Sequence, residues 1–272
     1  DYPSLRPREA AAKVSPSAAD LDGNNLIDQV AFVGTPDEPN STDLVIIKQG
    51  PGGGGMEWWP ETLDTMPHGF AAHAGVADLD GDSNMDIHVG GGTWFDGLRV
   101  YLGDGRGGFV RENIRLGYGV GGLNSFATGD INGDGSTDIV TVRTTVGGAN
   151  EGGFVVLYAP AEPQIEGFWT TECVDCPAAN IYTTALTERS LQIDNQGRPH
   201  IALGGANLLY VWHDGQAWQS EVVDFGLGNS IRNPALVLDA TGRPHISYRN
   251  FVDQSLRYAY RTAAGWQIEV VA

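Results

Sequence analysis

Apolar residues in this chain come in short runs, and the runs alternate with clusters of Gly, Asp and Asn. Val30-Ala-Phe-Val33, Ile87-His-Val89, Ile139-Val-Thr-Val142 and Leu208-Leu-Tyr-Val-Trp212 are of this kind. Short β-branched and aromatic runs bounded by turn formers read as strands. Only a weak turn over residues 9–13 hints at a helical period.

The runs repeat. Asp20-Leu-Asp-Gly-Asn-Asn-Leu-Ile-Asp28, Asp78-Leu-Asp-Gly-Asp-Ser-Asn-Met-Asp86 and Asp130-Ile-Asn-Gly-Asp-Gly-Ser-Thr-Asp138 align position by position, and an apolar run follows each. In the C-terminal half, Leu191-Gln-Ile-Asp-Asn-Gln-Gly-Arg-Pro-His-Ile201 aligns with Leu236-Val-Leu-Asp-Ala-Thr-Gly-Arg-Pro-His-Ile246, at an offset of 45 residues. Both repeat types share one skeleton: an apolar strand ending at Asp, a Gly three residues on, a β-rich strand, a third strand, and a fourth that often opens with an aromatic. The anchors are Asp20, Asp78, Asp130, Asp194 and Asp239. In the second unit the four strands are expected near 74–78, 86–90, 97–103 and 108–115.

Five units of four strands predict an all-β fold, a β-propeller of about five four-stranded blades. The blades are set at about 16–65, 74–115, 125–173, 188–223 and 235–271, within one domain over 1–272. The alternative is a β-sandwich with coincidental acidic loops.

The three acidic loops carry the chemistry. Positions 1, 3, 5 and 9 supply side-chain oxygens: Asp20, Asp22, Asn24 and Asp28; Asp78, Asp80, Asp82 and Asp86; Asp130, Asn132, Asp134 and Asp138. Position 7 can add a backbone carbonyl from Leu26, Asn84 or Ser136. Gly23, Gly81 and Gly133 stand where the chain must turn around an ion. Carboxylates about 4 Å apart repel by roughly 4 kcal/mol at an effective dielectric near 20. Hard oxygen donors without His or Cys favour Ca²⁺, so about three calcium ions are expected, with a structural role. The last two units lack this set. Asp194 to Ile201 is shorter than the equivalent Asp78 to Ile87, Gln196 and Thr241 replace the second acid, and Arg198 and Arg243 follow the Gly. A local Asp–Arg contact is expected there in place of calcium.

Composition fits. Gly makes up 38 of 272 residues, about double the usual ~7%, as many tight turns require. Formal charge is −18, which argues against nucleic acid or an anionic membrane as partner. Ten of the carboxylates lie in the three loops. No apolar run reaches the ~18 residues a membrane span needs. The start at Asp1 rather than Met suggests a processed N-terminus, and a secreted or cell-surface location is expected. Cys173 and Cys176 suit a short local disulfide, ahead of free thiols or a redox pair. Asn40-Ser-Thr42 is a glycosylation sequon in a eukaryotic secretory route.

The Asp-x-Asp-Gly-x-x-x-x-Asp spacing of the acidic loops resembles FG-GAP/VCBS repeats, the calcium-loop blades of integrin-α-like propellers, across roughly residues 16–170. The last two units resemble another blade repeat of secreted bacterial proteins, with Gly-Arg-Pro-His-Ile as its core. The resemblance implies a propeller with calcium, and functions ranging from adhesion and lectin activity to toxin scaffolds and polysaccharide lyases.

In such a fold the strand 2–3 and interblade connections share the end opposite the acidic loops, and that end usually binds. Its candidate ligand residues are His68, Trp94, Phe95, Tyr118, Asn124, Asn233 and Arg249; Tyr182 and Phe251 could also stack on sugars, and Asn180 and Asn229 could bind hydroxyls. Each aromatic could equally pack between blades. His200 and His245 occupy equivalent repeat positions and read as architecture. The sharper alternative is acid–base chemistry on an acidic polysaccharide by His73, Arg189, Glu188 and Tyr182 around the pore mouth. No serine-hydrolase, phosphate-loop or HExxH signature occurs. The expected function is therefore a secreted, calcium-stabilised recognition module for glycan or extracellular protein, more a binder than an enzyme. A polysaccharide lyase or other carbohydrate-active enzyme, or a scaffold domain of a larger toxin or adhesin, are the alternatives.

Overall fold

The structure, a computed structural model, describes residues 17–34, 41–52, 55–67, 71–91, 97–115, 123–143, 153–159, 170–174, 186–187, 189–227 and 230–272. Among them there is no helix. The strands form five four-stranded antiparallel sheets, each a meander in chain order, as in a blade-based β-propeller. The first blade comprises β1 (Ser17–Ala19), β2 (Asp28–Gly34), β3 (Ser41–Gly52) and β4 (Gly55–Pro67). The second comprises β5 (Ala71–Ala77), β6 (Asp86–Gly91), β7 (Gly97–Gly103) and β8 (Phe109–Arg115). The third comprises β9 (Leu123–Gly129), β10 (Asp138–Arg143), β11 (Gly153–Tyr158) and β12 (Thr170–Val174). The fourth comprises β13 (Leu191–Ile193), β14 (Pro199–Leu203), β15 (Asn207–His213) and β16 (Trp218–Phe225). The fifth comprises β17 (Ile231–Leu238), β18 (Pro244–Asn250), β19 (Ser255–Thr262) and β20 (Gly265–Val270).

The continuous apolar runs are the second and third strands of each blade. A strand there packs a neighbouring blade on both faces, so alternation disappears, as in any sheet covered on both sides. Ile87, His88 and Val89 on β6 are all fully buried, and so are Ile139, Val140 and Thr141 on β10. Outer strands face water instead: β20 is exposed along Gln267–Val270, with Ile268 and Val270 on the surface.

Apolar clusters join successive blades. Leu21, Val30, Leu44, Ile46 and Met66 of the first blade pack on Ala74, Ile87, Val89 and Tyr101 of the second. Leu79, Leu98, Val100 and Ile114 of the second pack on Phe126, Ile139, Val155 and Leu157 of the third. Val140 and Val156 continue the series into Leu191, Ile201, Leu209 and Val211 of the fourth. Ala202, Leu208, Tyr210 and Val223 then meet Ile231, Leu236, Ile246, Tyr248 and Ala259 of the fifth. Burying each such Leu, Ile or Val contributes roughly 1.5–3 kcal/mol. On the fifth blade's further face, Val237 and Leu256 are exposed, whereas Leu208, which precedes Tyr210 as Leu256 precedes Tyr258, is buried.

Outer-strand tryptophans cover the edges. The Trp59 ring lies over Gly50, where a Cβ would come within 2.7 Å of it. Trp218 and Trp266 pack at the margins of the adjoining clusters.

Candidate functional site

The acidic loops are the β1–β2, β5–β6 and β9–β10 turns, and they share one hydrogen-bond plan. The position-1 carboxylate accepts the N–H of the position-4 glycine: Gly23 to Asp20 at 2.8 Å, Gly81 to Asp78 at 2.8 Å and Gly133 to Asp130 at 2.7 Å. Its second oxygen accepts from position 6, at Asn25, Ser83 and Gly135. Both donors sit in the left-handed region: Gly23, Gly81 and Gly133 at φ 74, 77 and 78, and Asn25, Ser83 and Gly135 at φ 62, 71 and 92. The first turn residue is glycine in all three loops, whereas the second is Asn, Ser or Gly and carries no repeated signature. Asn25 is an ordinary occupant of that region; Ser83 is less common. The position-5 oxygen in turn accepts the N–H of position 7, at 2.7–2.8 Å in all three loops.

Position 9 ties the loop to the blade. Asp28, Asp86 and Asp138 are fully buried at the start of the second strand. One oxygen of each accepts the N–H of position 2: Leu21 at 2.9 Å, Leu79 at 2.7 Å and Ile131 at 2.8 Å. The other accepts a backbone N–H at the third strand: Gln49, Gly103 and Ala159, each at 2.8 Å. Burial pushes the Asp86 carboxyl up to about 7 despite these bonds, with the Asp80 and Asp82 charges adding to the rise. Burial likewise raises Asp138 to about 6, with Asp134 nearby. Asp80 is raised by burial and by the charges of Asp82 and Asp78.

Carboxylate oxygens of Asp20, Asp22 and Asp28 all lie within 4.8 Å of one another, and so do those of Asp78, Asp80 and Asp86. An all-oxygen set at this spacing has the composition that suits a hard divalent cation, and in the second loop burial, with the neighbouring charges adding to it, already disfavours the bare carboxylates of Asp80 and Asp86. The third loop differs because Asn132 replaces the second acid, and its amide donates to Asp134 at 2.9 Å. Its carboxylates form no such trio among the described residues. In the first loop, the Asn24 amide instead reaches across to the Gln49 carbonyl of β3 at 2.8 Å.

The turns of the last two blades are built on hydrogen bonds to Asp194 and Asp239, with a cationic side chain in the fourth. Arg198 holds Asp194 through Nη2 at 2.6 Å and Nε at 2.8 Å, as the expected Asp–Arg contact requires. In the fifth blade the outcome differs. Asp239 accepts from the Thr241 hydroxyl at 2.7 Å and lies 3.6 Å from His245, and Arg243 contributes its backbone N–H. Thr241 stands where the fourth blade has Gln196, and its short hydroxyl fills the carboxylate's bonding position. The repeated histidines are architectural: Nδ1 of His200 meets the Tyr210 hydroxyl at 2.5 Å, and Nδ1 of His245 meets that of Tyr258 at 2.5 Å.

At the other end, His73 on β5 packs against Phe126 of the third blade, with ring centroids 5.4 Å apart. Its Nε2 is shielded from solvent. Arg189 is exposed just before β13, and its carbonyl accepts the Leu236 N–H at 2.8 Å. Asn233 lies in a bulge of β17 at φ 52, and Arg249 closes β18 with its guanidinium 4.4 Å from the Phe251 ring centroid. Asn233, Arg249 and Phe251 are therefore brought to one place, away from His73's interface. His68, Trp94, Phe95, Tyr118, Asn180, Tyr182, Glu188 and Asn229 lie outside the described residues, as do Trp169, Cys176, Asn40 and residues 9–13. So do the side chains of Asn124 and Cys173.

Residues 78–141 match the model of an FG-GAP-like repeat. The chain is a repeat protein of β-propeller type. Two solved structures share its architecture: a protein from Lactobacillus plantarum, 12% identical, with 96% of this chain and 70% of that one covered at a TM-score of 0.57, and AofleA from Arthrobotrys oligospora, 14% identical, with 90% and 79% covered at a TM-score of 0.52. No curated protein matches the chain. The FG-GAP-like match runs from the second acidic loop to the strand after the third. The first loop lies outside it and repeats the same spacing and the same position-1 and position-9 hydrogen bonds.

Proposed function

We propose that this protein is a secreted, calcium-stabilised recognition module that binds glycan or extracellular protein through the end opposite its acidic loops. In this reading Ca²⁺ is held by Asp20, Asp22, Asn24 and Asp28, by Asp78, Asp80, Asp82 and Asp86, and by Asp130, Asn132, Asp134 and Asp138, with the carbonyls of Leu26, Asn84 and Ser136 as further donors. The observation that carries it is the convergence of Asp78, Asp80 and the buried Asp86 within 4.8 Å. Two positive charges there would offset a repulsion and a desolvation that the hydrogen bonds alone leave uncompensated. The ion fastens the turn between the first two strands of a blade and leaves the other end for partners.

The connections at that other end are long in sequence: β10 and β11 are separated by residues 144–152, and β12 and β13 by 175–190. Loops positioned by a rigid scaffold are where binding residues concentrate. Recognition is preferred to catalysis because His73, the candidate base, is turned into the interface with Phe126 and its Nε2 does not reach solvent. The test is a glycan array and an extracellular-protein array probed with the calcium-loaded protein, with product analysis on every glycan hit. Saturable binding without turnover supports the module. Turnover abolished by His73→Ala would replace it with the lyase reading, and silence on both arrays would overturn it.

A further inference from the structure

The fifth blade follows the fourth closely, and the place where it departs is compact. Leu191, Asp194, Pro199 and His200 align with Leu236, Asp239, Pro244 and His245 at the offset of 45 residues. At that offset Thr187 and Gly204 become Arg232 and Arg249. The connection after β18 is also longer. His200 and its partner Tyr210 are 10 residues apart, while His245 and its partner Tyr258 are 13 apart. The longer segment carries Phe251. The repeat accounts for the blade without these three residues, so the blade's architecture does not explain them.

Their arrangement is unfavourable for the fold alone. Arg232 and Arg249 are direct cross-strand partners, and like charges in that relation are destabilising. Both guanidinium groups stack on Phe251, at 4.3 and 4.4 Å from its centroid. Among the described residues no carboxylate forms an ion pair with either. Asp253, the acid of the same loop, is bound by Arg257 at 2.6 Å and by the Ser255 hydroxyl at 2.6 Å. Arg249 has only the neutral Gln254, whose Oε1 accepts from Nη2 at 2.7 Å. This unneutralised pair stands in a chain of formal charge −18.

The surroundings hold the pair in place. A bulge interrupts β17 between Arg232 and Ala235, with Asn233 at φ 52, and Gln254 is at φ 60. Bulges re-aim side chains, and left-handed non-glycine residues gather at binding sites. The Phe251 N–H donates to the Ser230 carbonyl at 2.7 Å, and the buried Asn250 side chain accepts the Val252 N–H at 2.9 Å. The loop is therefore pinned to the start of β17. Asn233, the next residue after Arg232 in this bulge, is exposed.

We propose that Arg232, Arg249 and Phe251 form a binding site for an oxyanion, carboxylate or sulfate, carried by an acidic saccharide. Two planar five-donor forks suit a carboxylate or sulfate oxygen set, and contact of both with the one Phe251 ring limits where each can lie before a ligand arrives. The exposed amide of Asn233, next to Arg232 in the chain, offers a donor and an acceptor that the hydroxyls of a sugar can satisfy, and the oligoglutamate probe below separates a saccharide from an acidic peptide. The inference rests on the glycan-recognition reading above and gives it a ligand class.

The test is calorimetric titration of the calcium-loaded protein, at about 0.15 M salt so that only contacts within roughly 8 Å matter. The probes are an oligogalacturonate, its methyl ester, a chondroitin sulfate oligosaccharide, an uncharged oligosaccharide and an oligoglutamate of matched charge. Binding of the uronate or the sulfated probe is expected, at least tenfold weaker for the methyl ester, and weakened at least tenfold by Arg232→Gln and by Arg249→Gln. Thermal melting of both variants should be unchanged or slightly higher, because a repulsive pair has been relieved. Equal binding of ester and acid, an unaffected Arg249→Gln, or oligoglutamate binding as tight as the uronate would overturn the site. If the uncharged oligosaccharide binds wild type and Arg249→Gln alike and the acidic probes do not bind, this inference alone fails. If no saccharide binds, the glycan reading fails with it.

Discussion

Tyr101 of the second blade donates a hydrogen bond of 2.6 Å to Asp64 of the first, and the two residues latch those blades together. Arg99 and Arg111 meet the same carboxylate at 3.0 and 3.2 Å. Burial works against the charge of Asp64, and the Tyr101 bond and the two arginines bring its carboxyl below the usual range. The fourth and fifth blades repeat the device, with Tyr248 and Arg257 on Asp224 at 2.6 and 2.8 Å. Removing the acceptor leaves a buried phenol and a largely buried guanidinium without it, and bonds to a charged group contribute about 1.5–3 kcal/mol each. Asp64→Ala should therefore destabilise by at least about 2 kcal/mol, and Tyr101→Phe by less, in urea unfolding. Equal stability of wild type and Asp64→Ala would show that the latch is incidental.

The calcium reading predicts that two kinds of aspartate in one loop behave differently. Asp86 accepts backbone N–H groups with both oxygens, so Asp86→Ala should destabilise with and without calcium. Asp80 accepts one loop N–H, from Asp82 at 3.2 Å, and otherwise faces like charges. Asp80→Ala should leave melting in EGTA nearly unchanged and remove that loop's share of the calcium-induced rise. One site at a hundredfold excess over its Kd contributes about 2.7 kcal/mol. Melting curves of both variants, with Ca²⁺ and with EGTA, check this; a calcium rise that survives Asp80→Ala in full would exclude Asp80 as a ligand.

Much of this was legible in the chain because the repeat is written twice over, in strand periodicity and in turn chemistry. The strands expected near 86–90 and 97–103 are β6 and β7, at Asp86–Gly91 and Gly97–Gly103. The turning glycines were legible because only a few residues accept φ near +75°. What spacing could not show was the double use of Asp28, Asp86 and Asp138, since their second partners, Gln49, Gly103 and Ala159, lie 17 to 21 residues away. The pairing of Arg232 with Arg249 was equally hidden, because it depends on a bulge in β17. The packing of the His73 ring on Phe126 of the next blade was hidden too, a contact across 53 positions that no local pattern carries.

Acid should weaken the fourth blade through His200. Burial holds its imidazole below the ordinary value, although Asp194 opposes the shift. The folded state then binds fewer protons than the unfolded state, whose His titrates near 6.5. Its contribution is full above about pH 6.5 and is lost as pH falls through the folded value, with a slope of at most about 1.4 kcal/mol per pH unit. Asp194, held well below the usual range by Arg198 despite burial, stays ionised in this window and adds no slope. Unfolding measured from pH 7 to 5 should give a flatter curve for His200→Gln than for wild type. Parallel curves would mean that His200 keeps an ordinary affinity for protons.

Gly23 and Gly81 hold the same place in two loops, at φ 74 and 77, yet alanine should be tolerated differently. Forcing a Cβ into the left-handed region costs roughly 1–2 kcal/mol wherever it occurs. At Gly81 that is the whole cost, since a Cβ there meets nothing within 4 Å. At Gly23 it would stand 2.4 Å from the Gly105 carbonyl oxygen, on the β7–β8 turn of the second blade. That neighbour is backbone, so it yields only if the turn moves away from the first acidic loop. The same turn also approaches the first blade at Gly107, where a Cβ would come within 2.8 Å of the Lys48 Nζ and 3.3 Å of the Asp22 Cβ. Gly23→Ala should therefore destabilise more than Gly81→Ala, by about 1 kcal/mol or more on the scale of overpacking. It should also lower the calcium response of the first loop, whose Asp22 borders the same contact. Equal losses for the two variants in calcium-free unfolding would mean that the first loop and the β7–β8 turn do not bear on each other.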